Sequence, residues 1–535
     1  MMLGWAILLA GVINLHACTE TPQVPEPTGR PASGTLVAPI NPEELHPVEE
    51  TVALERWAET SISDLAAAMQ SGALTSVALT EFYLARIDAY NKPLNAIQDL
   101  NDEALTQAAA LDAERQRQGP RSALHGLPVL VKDNYETRDM PTRAGSRLFG
   151  DFQPSRDAFL VQRLRAAGAV ILGKTTMHEF AYGITTVGSA FGQAGNAYQP
   201  LRNPGGSSGG SGAAAAANFA VFTMGSDTCG SIRIPAAQNN LVGLRGTQGL
   251  LSRSGIVPLS STQDIGGPIT RSVADLAAVL GLLSGADPAD PQTAASPAVD
   301  YRLGLKPHPG ARIGVLVDWF VQEAGDEISA DVVHTALATM QHAADWQLIP
   351  LPSPAVQAAV NRDWNGHLVL ISDFARDIDQ YLAANPELGI ADLRDLLARG
   401  QHHPDIEGSL RASLELSEVA PEVYAREIAQ RQVVQDALLQ LLDEHDLDAL
   451  AYPTIRQVAM PVGQEQPGTN CRLSANSGLP AISVPAGFAL LAEGEQMPVG
   501  LELLGRAFDE QRLLNLAFTV EQHYPQRTPP NLSQQ

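Results

Sequence analysis

After residue 50 the chain carries apolar residues at helical spacing. They include Leu65, Met69, Leu74, Leu79, Phe82 and Leu84, and a second run covers Ala104 to Arg117. Apolar residues that recur every three or four positions form one face of an amphipathic helix. The pattern therefore predicts a helical N-terminal region of two or three helices.

Short apolar runs then alternate with helical patterns. Residues 124–131 and 169–172 are mainly apolar, and residues 157–167 between them have helical spacing. Short apolar runs are typical of buried strands, and strands that alternate with helices favour an α/β domain. We therefore predict a central β-sheet that helices cover on both faces.

The first 50 residues have a different character. Residues 1–15 are apolar but too short to span a bilayer comfortably, which predicts a secretory signal peptide over residues 1–17. The segment Leu15-His16-Ala17-Cys18 resembles a bacterial lipobox, in which the cysteine is lipidated. Residues 18–50, rich in Pro, Glu and Thr, are predicted to form a tether. The expected protein is exported, and is either periplasmic or held to a bacterial membrane through Cys18 alone; a plain secretory signal is the alternative.

Composition argues against several classes of function. The 535-residue chain has a formal charge of −24 and no cluster of basic residues that would bind nucleic-acid phosphates. Its three cysteines, Cys18, Cys229 and Cys471, form no disulfide framework and no metal-ligand spacing. The pair His402-His403 is interpreted as part of a solvated loop. We therefore expect no nucleic-acid partner, no metal and no cofactor.

Two serine-bearing glycine loops lie between residues 201 and 249. They are Asn203-Pro204-Gly205-Gly206-Ser207-Ser208-Gly209-Gly210-Ser211-Gly212 and Gly225-Ser226-Asp227-Thr228-Cys229-Gly230-Ser231-Ile232-Arg233. Glycine permits close approach of a backbone or a substrate, and the N–H groups of such loops can converge on a negative charge. A hydroxyl beside convergent N–H groups is typical of acyl transfer, which needs a nucleophile next to an oxyanion hole.

A serine nucleophile needs a base, and Lys132 is the candidate. The chain has only four lysines among 35 basic residues, so arginine supplies most of the ordinary positive charge. Lys132 follows the apolar run Val129-Leu130-Val131, and desolvation lowers the pKa of a lysine, whereas arginine keeps its proton. On a strand, the neighbouring Asp133 would point to the opposite face.

Together these motifs resemble the amidase signature family, whose catalytic triad is Ser–cis-Ser–Lys. Lys132 precedes Ser207 by 75 residues and Ser207 precedes Ser231 by 24, as in that family, and further similar segments are Gly173-Lys174-Thr175, residues 270–275 and residues 478–487. The resemblance implies that Ser231 is the nucleophile, Ser207 the proton shuttle after a cis bond, and Lys132 the base. It also implies the amidase-signature fold, a large mixed sheet between helical layers, over residues 51–528, with residues 529–535 as a tail. Residues 290–465 look less like the family and are expected to shape the substrate pocket.

The resemblance also implies roles for the residues around the triad. The oxyanion hole is expected from the backbone N–H groups of Thr228, Cys229, Gly230 and Ser231. Substrate contact or loop support is expected from Gly206, Ser208, Asp227 and Arg233. For Asp227 and Arg233 we prefer an ion pair that holds the loop over recognition of a substrate carboxylate by Arg233. Arg143 is either a substrate contact or a charge at the rim of the site.

Three other interpretations of the motifs fit less well. Residues 168–175 match the letters of a phosphate-binding loop, but residues 169–172 are apolar strand residues. Residues 206–210 match the G-x-S-x-G elbow, but a loop precedes them and no histidine is an evident partner. Cys229 has no paired histidine that would make it a nucleophile, so it is expected to be a small buried residue, as is Cys471.

We therefore predict an exported amidase that hydrolyses a carboxamide to an acid and ammonia or an amine through an acyl-enzyme. The substrate would be a small-molecule or peptide amide, since residues 257–264 are similar to peptide amidases. The first alternative is a protein similar to the glutamine-hydrolysing subunit of a tRNA amidotransferase. The second is a non-catalytic surface lipoprotein with the same fold.

Overall fold

The computed structural model describes residues 57–361, 367–492 and 494–534, so the predicted signal peptide, Cys18 and the tether lie outside the described residues. The helices are α1 Ile62–Ser71, α2 Ser76–Leu94, α3 Ala104–Gln118, α4 Phe159–Ala166, α5 Gly209–Ala216, α6 Arg233–Gln238, α7 Val273–Leu283, α8 Glu327–Ala343, α9 Pro354–Asn361, α10 His367–Ala384, α11 Leu393–Arg399, α12 Pro404–Leu416, α13 Pro421–Glu444, α14 Arg472–Ser477 and α15 Glu510–His523. The strands are β1 Ile97–Leu100, β2 Pro128–Lys132, β3 Val170–Thr175, β4 Val187–Gly188, β5 Gly192–Gln193, β6 Thr223–Ser226, β7 Val242–Arg245, β8 Gly266–Thr270, β9 Arg312–Leu316, β10 Gln347–Leu351, β11 Ala449–Pro453, β12 Ala481–Leu490 and β13 Gln496–Leu504.

The predicted N-terminal helices are present as α1 to α3. Ser61 caps α1 by accepting a hydrogen bond from the Asp64 N–H, and Gly72 ends the helix in the left-handed conformation. Thr75 caps α2 in the same way. The apolar stripe of α1 and α2 is buried in the main hydrophobic core, as its helical spacing predicts.

Eleven of the described strands form one mixed sheet in the order β1-β3-β2-β6-β8-β7-β12-β13-β11-β9-β10. The strands β3, β2 and β6 are parallel neighbours, whereas β8, β7, β12 and β13 are joined by antiparallel pairing. Every residue of β2, β3, β6, β7 and β8 is buried. Because successive side chains of a strand point to opposite faces, this burial shows that both faces are covered. The predicted fold class is confirmed.

The centre of this sheet brings the two halves of the predicted site together. Lys132 is the last residue of β2 and Ser226 the last of β6, and these strands run parallel with Leu130 beside Thr223. Parallel neighbours end at the same edge of a sheet, so the lysine and the second glycine loop leave it side by side.

The segment resembling a phosphate-binding loop is instead strand β3, which extends to Thr175. Lys174 is fully buried, and its Nζ lies 3.4 Å from Asp133 Oδ1 and 3.0 Å from Thr142 Oγ1. This lysine therefore supports the structure. Asp133 faces Lys174 and not Lys132, as strand alternation predicts.

Helices α10 to α12 lie in the region predicted to diverge from the family. Phe374 on α10 packs against Phe180 and Tyr182, which follow β3, with ring centroids 6.1 and 5.0 Å apart. This contact is part of a second hydrophobic cluster next to the main core. Among the described helices, none combines the length and apolarity needed to cross a membrane.

Candidate active site

Lys132 lies at the centre of a buried cluster of hydroxyl groups. Its Nζ atom is 2.7 Å from Ser207 Oγ and 2.9 Å from Ser226 Oγ. Asn134 donates a hydrogen bond of 3.0 Å to the same Ser226 hydroxyl. Lys132, Ser207 and Asn134 are all buried, so the contact between lysine and serine is shielded from water. The sequence did not single out Ser226 and Asn134 as site residues; the position of Ser226 inside the second glycine loop was the available signal.

The electrostatic setting of Lys132 fits a base. Burial lowers its pKa to about 7, and the negative charges of Asp264 and Asp227 only partly oppose this shift. No carboxylate among the described residues lies within ion-pair distance of its Nζ atom, in contrast to Lys174, which is paired with Asp133. Lys132 can therefore be neutral near neutral pH.

Ser207 follows a cis peptide bond from Gly206, as the family resemblance implies. A Cβ at Gly206 would lie 2.7 Å from the backbone carbon of Ile184, so only glycine fits there. The Ser207 carbonyl accepts a hydrogen bond of 2.9 Å from the backbone N–H of His178. Burial lowers the pKa of His178 to about 3, and its Nδ1 accepts from the Thr186 N–H at 3.2 Å, so this histidine supports the loop.

Ser231 lies at the end of the second glycine loop, immediately before α6. Its carbonyl accepts a hydrogen bond of 3.3 Å from the Ser208 N–H, which joins the two loops. The Gly230 N–H donates to Asp227 Oδ1 at 2.7 Å. Within the described part of the chain, the other three predicted donors of the oxyanion hole have no recorded hydrogen-bond partner: Thr228, Cys229 and Ser231. Those three N–H groups are therefore available to a developing oxyanion.

Asp227 and Arg233 hold the loop from below. Arg233 is 0 % exposed, its Nε lies 3.1 Å from Asp227 Oδ2, and its guanidinium also pairs with Glu502. Arg245 donates to both the carboxylate and the carbonyl of Asp227. These cations hold the pKa of Asp227 far below its usual range, although burial opposes them. Arg233 is thus a loop support, as preferred from the sequence, and cannot reach substrate.

Ser208 and Arg143 likewise have structural partners. The Ser208 hydroxyl donates to the Ser226 carbonyl at 3.1 Å and accepts from the Ser226 N–H at 3.3 Å. Arg143 pairs with Asp99, and with Asp151 at 2.8 Å. Ser208 therefore links the glycine loops, and Arg143 is a charge held by ion pairs.

One sequence expectation is wrong at this site. Cys229 and Cys471 are not isolated small residues, because their sulfur atoms form a disulfide between residues 242 positions apart. Their Cα atoms are 5.1 Å apart. The bond joins the oxyanion loop to the residue before α14. Cysteine count and spacing do not predict it, because the two residues meet only in the tertiary fold.

Removal of this disulfide should destabilise the protein. We expect Cys229→Ala, Cys471→Ala and the double variant each to lower the free energy of unfolding by about 2–4 kcal/mol, the usual contribution of a disulfide. Because either single change breaks the bond, the three values should be similar and not additive. Urea unfolding with thiol counting checks this; two reactive thiols at 229 and 471 in the unfolded wild type, without reductant, would contradict the pairing.

A cavity of about 300 Å³ opens onto the Ser231 loop. Thr228, Cys229 and Ser231 line one side, and Leu370, Ile371 and Ser409 of α10 and α12 line another. The last three belong to the region 290–465 that was expected to shape the pocket. Ser231 is 3 % exposed, so this cavity is its access to a substrate. No cluster of His, Cys, Asp or Glu within the described ranges could hold a metal ion.

Comparison with known proteins fits this geometry. The Amidase family model matches residues 78–514, most of the chain. The chain belongs to the amidase signature family. Its relatives include a subunit of glutamyl-tRNA(Gln) amidotransferase from Chloroflexus aggregans, which is 34% identical over 474 residues, or 85% of this chain and 94% of the relative.

Solved structures of the amidase family also resemble the chain. The native peptide amidase from Stenotrophomonas maltophilia has a TM-score of 0.81 and 36% identity, and the match covers 89% of this chain and 99% of that one. The corresponding glutamyl-tRNA(Gln) amidotransferase chain from Thermotoga maritima has a TM-score of 0.69 and 23% identity, and the match covers 91% and 99% of the two chains. At that identity, the second similarity shows the fold alone.

Proposed function

We propose that this amidase-family enzyme hydrolyses a carboxamide through a Ser231 acyl-enzyme. Neutral Lys132 accepts a proton from the Ser207 hydroxyl while Ser207 accepts the Ser231 proton, and Ser231 Oγ forms a bond to the amide carbon. When the C–N bond breaks, the proton returns through Ser207 to the leaving nitrogen. Water then attacks the ester and gives up its proton by the same path, which yields the acid and free Ser231.

One observation carries this proposal: a buried lysine with a lowered pKa lies 2.7 Å from the hydroxyl of the cis serine, beside the loop that holds Ser231. A structural lysine would have a carboxylate partner, as Lys174 has. Each N–H that binds the developing oxyanion would add about 3 kcal/mol of transition-state stabilisation.

Two amide donors are candidates for the acyl group. The amidotransferase relatives favour glutamine, which a glutamine-hydrolysing subunit of that enzyme would use. The solved peptide amidase favours the C-terminal amide of a peptide. The charge of −24 gives this chain no basic surface for tRNA phosphates, so glutamine hydrolysis linked to tRNA would need a partner that binds the RNA.

Ammonia release from a panel of amides tests the proposal and separates the two donors. The panel holds L-glutamine, N-acetyl-dipeptide amides, aryl amides and a fatty amide, and Ser231→Ala is the inactive control. Faster turnover of glutamine would support the glutaminase, and faster turnover of peptide amides the peptide amidase. No ammonia from any amide, together with no labelling of Ser231 by a fluorophosphonate, would refute amide hydrolysis and leave a binding protein with this fold.

We also propose that the protein is exported. The lipobox-like segment before Cys18 supports this, and so does the disulfide, because disulfides persist in oxidising compartments and are rare in the cytosol. Cys18→Ala should therefore release the protein from membranes and abolish incorporation of labelled palmitate. Cell fractionation measures the first effect and autoradiography the second. A wild-type protein that takes up no label would contradict lipidation, and recovery of the wild type in the cytosol would contradict export.

A further inference from the structure

The charged residue of the Ser231 cavity is Arg472. It is the first residue of α14, and among the described residues that line this cavity it alone carries a formal charge. The adjacent Cys471 is bonded to Cys229 of the oxyanion loop. The disulfide therefore fixes the backbone of Arg472 close to the nucleophile, within reach of the acyl side of a bound amide.

Arg472 also differs from the buried arginines around the site. Arg233, Arg245 and Arg456 each have a carboxylate partner within 3.1 Å. For Arg472 the structure records no ion pair with any described residue, and burial alone lowers its pKa, with no carboxylate to oppose the shift. A partly buried guanidinium without a counter-ion costs free energy unless a ligand supplies the negative charge.

The rest of the cavity wall is mainly apolar. Tyr182, Ile184, Leu259, Leu370 and Ile371 line it, and Ser409 and Thr469 add hydroxyl groups. Such a wall binds a hydrocarbon body and offers nothing else that would neutralise a charge. The guanidinium fork matches the two oxygens of a carboxylate.

We propose that Arg472 is a specificity-determining residue that binds a carboxylate on the acyl side of the scissile amide. This rests on the proposed amide hydrolysis and names a substrate class for it: amides whose acyl part combines an apolar body with a carboxylate. The carboxylate could be an acidic side chain of a peptide amide or the α-carboxylate of free glutamine. The sequence offered only Arg233 for this role, and the structure shows that Arg233 is occupied by Asp227 and Glu502.

Isosteric pairs of substrates test the proposal. The peptide pairs are N-acetyl-Glu-Leu-amide against N-acetyl-Gln-Leu-amide, and N-acetyl-Leu-Glu-amide against N-acetyl-Leu-Gln-amide. The glutamine pair is L-glutamine against its α-methyl ester. In the wild type at pH 7.5, kcat/KM should favour the carboxylate by at least about tenfold in one pair, since a hydrogen bond to a charged group contributes that much. The pair that shows the preference identifies the source of the carboxylate.

Variants at Arg472 show whether this residue causes the preference. Arg472→Gln should bring the ratio to about one, with the loss mainly in KM, and Arg472→Glu should favour N-acetyl-Lys-Leu-amide. Arg302→Gln, which removes an exposed arginine paired with Asp300, is the matched control and should keep the wild-type ratio. No preference in any wild-type pair, or an unchanged ratio in Arg472→Gln, would overturn the inference while hydrolysis of the neutral amides still supports the proposed function. No hydrolysis of any amide would remove both.

Discussion

Replacement of Ser231 by alanine is expected to lower kcat by about 10⁴- to 10⁶-fold, the range found when a nucleophilic serine is removed. The variant loses the only atom that forms the acyl bond, while the N–H groups of its loop stay in place. The Oγ atom takes no part in the loop-supporting hydrogen bonds of Asp227, Arg233 and Ser208. Stability should therefore change little. Steady-state rates of ammonia release and urea unfolding measure the two quantities.

Ser208→Ala is the matched control for this experiment. Its hydroxyl bonds to the backbone of Ser226, so its loss should weaken the loops and reduce activity, yet leave it far above that of Ser231→Ala. Mass spectrometry of a trapped fluorophosphonate adduct locates the nucleophile directly. An adduct on Ser208 or Ser207 would show that the assignment of Ser231 is wrong.

The sequence was sufficient for the fold class and for the residues around Lys132, because both depend on local signals. Runs such as residues 169–172 are strands whichever way the sheet is ordered, and glycine-rich loops with serines restrict the backbone wherever they occur. The low pKa of Lys132 was likewise predictable, since the apolar residues before it indicated a buried strand. The direction of Asp133 followed from strand alternation alone.

What the sequence could not supply depends on residues that are distant along the chain. Cys229 and Cys471 meet only because α14 packs next to the oxyanion loop, and a separation of 242 residues carries no signal of that contact. The same holds for the arginines. Arg233 lies next to the nucleophile in sequence but its charge is used by Glu502, which is 269 positions away. Arg472 is far from the nucleophile in sequence and lines its cavity.

The pH dependence of activity should report the ionisation of Lys132. With a pKa of about 7 in the free enzyme, Lys132 is protonated at lower pH and cannot accept the proton of Ser207. We therefore expect kcat/KM to fall below pH 7, to rise through a limb near pH 7, and to stay high into the alkaline range. An unperturbed lysine, with a pKa near 10.4, would place the limb about three units higher. Initial rates of ammonia release at saturating and limiting substrate give the profile.

Substitution of Lys132 then separates a base from a fixed positive charge. Lys132→Ala should remove the limb and lower kcat/KM by at least about 10²- to 10⁴-fold, the usual cost of losing a general base. Lys132→Arg should not restore activity, because a guanidinium keeps its proton at every pH of the assay. Lys306→Arg, at an exposed lysine, is the control for the same exchange and should keep both the rate and the limb. Near-normal activity of Lys132→Arg would mean that Lys132 acts only through its charge, and proton transfer through Ser207 would have to be abandoned as the mechanism.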